Sequence, residues 1–198
     1  MHNPIYLQII GNQIWLRVYI MKTITVKDKL FSLSIDSSEI QKSIEKVAIN
    51  INKDYKNEIP LFIVVLNGSF MFAADLFRKI EVPCEISFMK VTSYQGMQTT
   101  QDVKILIGLN EDIKGRKVVI VEDIIDTGIT IENLIAQIKQ YDPEDIKIAT
   151  LLFKPKAFEK DFKIDYVGIE IPNDFIVGYG LDYDGFGRNL PDIYKVVS

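Results

Sequence analysis

The sequence predicts an α/β fold: a central, mostly parallel, doubly wound sheet flanked by helices. Two observations predict it. Short apolar runs alternate with stretches whose apolar residues recur at helical spacing, which is the signature of strand–helix–strand units. The runs are continuous rather than alternating, as in strands covered on both faces. A length of 198 residues suits one domain, with 47% apolar and 25% charged residues as in ordinary globules.

The elements follow in order. Residues 1–20, "MHNPIYLQIIGNQIWLRVYI", are apolar but lack a basic leader and a small-residue cleavage site, which argues against a signal peptide. Asn12, Gln13 and Arg17 interrupt them, which argues against a membrane span. "MKTITVKDKLFSLSI" from Met21 reads like an ordinary protein start, so 1–20 is expected to be a non-native or unstructured extension to a single domain over 21–198. An extra strand is the alternative.

Ile40, Ile44, Val47 and Ile51 predict a helix over 38–57, with Ser38 and Gln41 as a capping box. "LFIVVL" (61–66) predicts a buried strand and "SFMFAADLFRKI" (69–80) the helix after it. "CEISFMKV" (84–91) and "VKILIG" (103–108) predict strands, with the polar "TSYQGMQTTQD" (92–102) between them as a long hairpin or loop. "KVVIVED" (117–123) is the next strand. Ile131, Leu134, Ile135 and Ile138 mark a helix that must stop near Asp142-Pro143. "IKIATLLF" (146–153) and "DYVGIEI" (165–171) predict two more strands.

Scarce residues restrict the chemistry. His2 is the one histidine and Cys84 the one cysteine, so Ser–His, Cys–His and histidine-ligated zinc chemistry are nearly excluded. One cysteine forms no intramolecular disulfide, which fits a reducing cytoplasm. The net charge of −4 argues against a nucleic-acid partner. Carboxylates, amines, guanidinium groups, backbone amides or an oxygen-bound metal remain.

The strand over 117–123 ends in Glu122 and Asp123, with Asp126 three residues on and then Thr127, Gly128, Ile129 and Thr130. Ligands of doubly wound sheets bind outside the carboxyl ends of strands. The turn places amides and two hydroxyls at a helix N-terminus, where an anion is favoured. The two acids would repel a bare phosphate but suit sugar hydroxyls. A ribose 5-phosphate satisfies both. A helix cap at Thr127 is the alternative, though it leaves three acids unexplained.

"VVIVEDIIDTGIT" (118–130) resembles the phosphoribosyl-diphosphate motif of type I phosphoribosyltransferases. From about residue 30 onward the chain is similar, in matching order, to the hypoxanthine(-guanine) branch of that family. The resemblance implies the type I fold, with a mobile lid hairpin and a small hood for the base. It implies Mg²⁺ as cofactor and, as partners, phosphoribosyl diphosphate and a 6-oxopurine, in a cytoplasmic homo-oligomer, dimer or tetramer. Glu122 and Asp123 would bind the ribose hydroxyls, in part through the metal. Asp126 would handle the proton at purine N7 as general base. Thr127, Gly128, Ile129 and Thr130 would hold the 5′-phosphate, with Ile129 standing where many relatives have lysine.

Further segments extend the likeness. "VVLNGSFMFAADL" (64–76) resembles the pyrophosphate loop, with Asn67 and Gly68 at its turn, a cis peptide at Leu66–Asn67, and Asn67 in place of a common lysine or arginine. Ser93 and Tyr94 match the lid pair. Lys154 matches the lysine that bonds the 6-oxo group. In "PNDFIVGYGLDYDGFGRNLPDIY" (172–194), Phe175 would stack on the purine and the Ile176 backbone would read its edge. Asp182 would help position a second Mg²⁺ and Arg188 would meet the pyrophosphate. Burial of Phe175 in a core is the competing reading. The implied activity is transfer of phosphoribose to hypoxanthine, with guanine as a second acceptor. A xanthine-preferring enzyme and an RNA-binding regulator of the same fold are the alternatives. A signalling receiver domain shares the acidic strand but would need more chain after it than remains.

Overall fold

In the computed structural model of the chain, the residues described are 5–10, 13–18, 22–93, 103–107 and 112–197; of these, 5–18, 91–93 and 103–107 are described in backbone alone. The elements are β1 (Ile5–Ile10), β2 (Gln13–Val18), β3 (Thr23–Val26), β4 (Lys29–Ile35), α1 (Ser37–Asp54), β5 (Leu61–Leu66), α2 (Phe70–Phe77), β6 (Glu85–Ser93), β7 (Val103–Ile107), β8 (Lys117–Ile125), α3 (Ile129–Lys139), β9 (Asp145–Phe153), β10 (Tyr166–Glu170), β11 (Ile176–Val177) and β12 (Ile193–Val196).

The main sheet runs β10-β9-β8-β5-β6-β7. Its strands are parallel except β7, which returns antiparallel beside β6. Alternate residues of its central strands feed opposite cores. Phe62, Val64, Val119 and Val121 pack with Ile40, Ile44, Val47 and Ile51 of α1 and with Phe72 and Leu76 of α2. Leu61, Ile63, Val65, Val118 and Ile120 pack instead with Ile131, Leu134 and Ile138 of α3. Two covered faces explain why these runs are continuously apolar. Each fully buried Val, Leu or Ile contributes about 1.5–3 kcal/mol of transfer free energy.

α1 starts one residue earlier than predicted. Its cap is Asp36, whose carboxylate accepts from Glu39 N at 3.0 Å and from Ser38 Oγ at 2.6 Å, so Ser38 is spent on the cap rather than serving as it. β8 runs past Asp123 to Ile125 because β9 goes on pairing with it as far as Ile125↔Phe153.

Sequence periodicity did not mark the smaller sheet, β11-β12-β4-β3, which is antiparallel and joins the two ends of the domain. Val26, Phe31, Val177 and Tyr194 form its core, and it is the hood that the resemblance implied. Asp192 fastens it to the main body: its carboxylate accepts from Ser37 N at the start of α1, Lys22 Nζ and Tyr194 OH. β1 and β2 pair with each other in a sheet of their own. Both strands lie within the 1–20 segment. Among the described residues no helix is long and apolar enough to cross a membrane.

Candidate functional site

The strand order reverses direction between β5 and β8. From β5 the chain winds by α2 to β6 on one side, and from β8 by α3 to β9 on the other. Such a switch point is where doubly wound sheets hold ligands. Here the two strands also part: their pairing ends at Val64↔Val121, while β8 continues along β9 through Glu122↔Thr150. A notch opens at Glu122, bounded by the 67–69 turn. A hollow of about 250 Å³ beyond it is lined by residues 122–131. A larger one, of about 600 Å³, lies by Asp145 and Ile146 at the amino end of β9 and touches none of the residues below.

Glu122 and Asp123 are both buried at 9% and 8% exposure. Asp123 accepts from Ile124 N at 2.9 Å, whereas Glu122 Oε2 is enclosed with no hydrogen-bond partner among the described residues. Burial, and then the charge of Asp123, hold Glu122 well above the usual carboxylate range; burial raises Asp123 as well. Two adjacent desolvated carboxylates with an orphaned oxygen are costly unless a cation completes them. A hard divalent ion suits that donor set. Among the described residues no third acid, histidine or cysteine joins the pair as a ligand group. This matches Mg²⁺, which takes one or two carboxylates and leaves its other positions to water and substrate oxygens.

Gly68 lies against Asp123. A Cβ at this position would come within 1.6 Å of Asp123 Oδ2, so only glycine lets the 67–69 turn close over that carboxylate. The Leu66–Asn67 peptide is cis, as the resemblance implied, and Ser69 is buried with its hydroxyl donating to Val65 O.

The 127–130 turn has the form expected of a cradle. Gly128, which has no side chain to cap with, is the N-cap of α3 in the left-handed region at φ +84°. Ile129 N donates to Thr127 Oγ1 over a long 3.5 Å, so Thr127 holds the leading amide of α3 only weakly. Thr130 lies in the first turn of α3 and lines the same hollow.

Lys154 follows β9 and is buried at 8% exposure, which excludes a merely solvated lysine. Its ammonium donates to Asp126 Oδ2 at 2.9 Å and to Asn173 Oδ1 at 3.3 Å. Phe175 is 46% exposed, which rules out the core reading. Behind its ring stand Phe31 at 6.2 Å and Tyr183, edge-on, at 5.7 Å between centroids, with Lys29 Nζ 5.4 Å from its centre. Ile176 is buried in β11, paired with Lys195 of β12.

Asp182 and Arg188 are held together, their side chains 2.6 Å apart. Arg188 also donates to Gly180 O at 2.7 Å, and Asp182 accepts from Gly185 N at 2.7 Å. Asp182 therefore does not join Glu122 and Asp123, while the positive charge of Arg188 is close enough to act on Asp123. Ser93 ends β6, paired with Val103; its side chain, Tyr94 and the lid expectation lie outside the described residues.

Sequence reasoning missed Asn173, although it stands two residues before Phe175 in a turn, where an amide side chain is a signal. It also missed Lys29 and Phe31. Nothing local marks those two, because their place beside Phe175 comes from the β4-β12-β11 adjacency.

A nested anion turn, a buried acid pair and a switch-point notch suit an α/β protein that binds a phosphorylated sugar. A family model described as "Phosphoribosyl transferase domain" matches residues 35–184, and the chain belongs to that family. It is 45% identical over 166 residues to the hypoxanthine phosphoribosyltransferase of Salmonella typhimurium, covering 82% of this chain and 93% of that one. With the hypoxanthine-guanine phosphoribosyltransferase of Bacillus subtilis it shares 40% over 169 residues, covering 85% and 94%. The crystal structure of a hypoxanthine-guanine phosphoribosyltransferase from Bacillus anthracis superposes with a TM-score of 0.80 at 40% identity, over 87% of this chain and 100% of that one.

Proposed function

We infer that this protein transfers the 5-phosphoribosyl group from 5-phospho-α-D-ribose 1-diphosphate to N9 of hypoxanthine, and of guanine, releasing diphosphate in purine salvage. One observation carries the base assignment. Lys154 Nζ and Asp126 Oδ2 stand 2.9 Å apart at neighbouring strand exits. A 6-oxopurine presents O6 and N7 side by side on one edge. An ammonium for O6 beside a carboxylate for an N7 proton matches that edge. Adenine would put a donor before Lys154, which has no acceptor to offer.

Each group then has a task. The exposed face of Phe175 stacks on the purine, and the Ile176 backbone reads its edge. The amides of 127–130 hold the 5′-phosphate, Ile129 contributing its N–H alone. Glu122 and Asp123 orient the ribose diol and would hold Mg²⁺ against the diphosphate. When bound, that ion supplies charge stabilisation to the departing diphosphate. The 67–69 amides and Arg188 face the same leaving group, and preorganised donors of this kind stabilise charge as it develops. Asp182 orients Arg188 and would help position a second Mg²⁺. Asp126 takes the N7 proton as the new bond forms. Ser93 and Tyr94 close over the reacting carbon to exclude water.

We further propose a cytoplasmic homo-oligomer. Ile86 and Phe88, alternate residues on one face of β6, are exposed, as is Phe70 at the start of α2. Exposed large apolar side chains of this kind favour a partner.

The test is incubation with the diphosphate, Mg²⁺ and each of hypoxanthine, guanine, xanthine, adenine and uracil in turn, followed by identification of the nucleotide. IMP and GMP are expected. AMP or UMP alone would overturn the base assignment, and no nucleotide with any base would overturn the transferase reading.

A further inference from the structure

Among the described residues the Lys154 ammonium has two protein partners, of which Asp126 belongs to the chemistry. The other, Asn173, lies on the exposed turn between β10 and β11 and lends an uncharged oxygen at 3.3 Å. That same turn ends in Phe175. It therefore holds both the ring that stacks on the base and the amide that fixes the head of the lysine meant for the base's oxygen. An ammonium has three donors. With one on Asp126 and one on Asn173, the third is left for O6 of the base, in a direction set by the first two. Remove Asn173, and the ammonium keeps a single anchor and is free to turn wholly toward Asp126.

We propose that Asn173 is a positioning residue for 6-oxopurine recognition, acting through Lys154; the proposal rests on the reading of Lys154 given above. A neutral acceptor suits this task. A carboxylate at the same place would still orient the lysine, so aspartate is the conservative replacement.

The test is steady-state kinetics of Asn173→Ala, Asn173→Asp and Lys154→Met, varying base and diphosphate separately, with thermal melts alongside. For Asn173→Ala the KM for hypoxanthine is expected to rise by roughly tenfold, the scale of one hydrogen bond to a charged group. The KM for diphosphate and the melting temperature should stay at the parent values, and Asn173→Asp should recover most of the base KM. A structural role would instead move both KM values and the melting temperature together, without rescue, and that result overturns the proposal. An unchanged base KM in Asn173→Ala with a raised one in Lys154→Met overturns the Asn173 inference alone. Unchanged base KM values in both variants overturn the Lys154 reading as well.

Discussion

Single residues decide this site by what they are denied. Gly68 has no side chain because Asp123 fills that space; Gly68→Ala should push the carboxylate aside and weaken Mg²⁺-dependent diphosphate binding by about tenfold or more in a calorimetric titration, with the fold retained. Asp126→Ala should lower kcat by roughly 10²–10⁴-fold, the usual worth of a positioned base, while diphosphate affinity holds. Unchanged turnover in a rapid-quench assay would remove Asp126 from the chemistry. Glu122, Asp123, Asp126 and the 127–130 turn were legible because they are consecutive, so one strand and one turn carry them together. Asn173 bonding to Lys154 and Lys29 lying over Phe175 were not. Those contacts join chain segments whose meeting is decided by strand order. The Asp182–Arg188 pairing was hidden for a different reason: a carboxylate and a guanidinium each suit several partners, and only the course of the glycine-rich turn selects one.

Among elements, the covered strands were the easiest to read, since two apolar faces leave a continuous signature, and "LFIVVL" is β5 residue for residue. The hood strands were not. β11 has two residues, and β3 and β4 mix polar with apolar positions because they cover only a small core. Caps are settled locally yet by competition, as Asp36 outbidding Ser38 illustrates. Asp36→Ala should cost about 1 kcal/mol in urea unfolding. Asp192, which ties β12 to α1 and Lys22, gives the hood a pH dependence. Its hydrogen bond from Lys22, helped by those from Ser37 N and Tyr194, lowers its folded pKa below the ordinary 3.8. The stabilisation is therefore complete above that ordinary value and is lost as pH falls through the depressed folded one. Asp192→Asn should flatten the fall in urea midpoint between about pH 5 and about pH 2. An unaltered slope would assign the acid sensitivity elsewhere.

For the whole molecule, the parallel order and both cores followed from alternation of strand and helix, but the closure of the domain by its two ends did not. β4 and β12 meet from opposite termini, and no local pattern announces such a pairing. Among the described residues β1 and β2 pair only with each other, and we propose 21–198 as the working domain. Removal of residues 1–20 should leave kcat/KM and the melting temperature unchanged, and a lower melting temperature would make the hairpin part of the fold. The divergence of β5 from β8 after Val64 and Val121 has a consequence of its own. A nucleotide lodged in that gap bridges the two oppositely wound halves of the chain and acts as a strut between them. IMP should therefore raise the melting temperature with the logarithm of its concentration and slow proteolytic nicking on both sides of the gap at once.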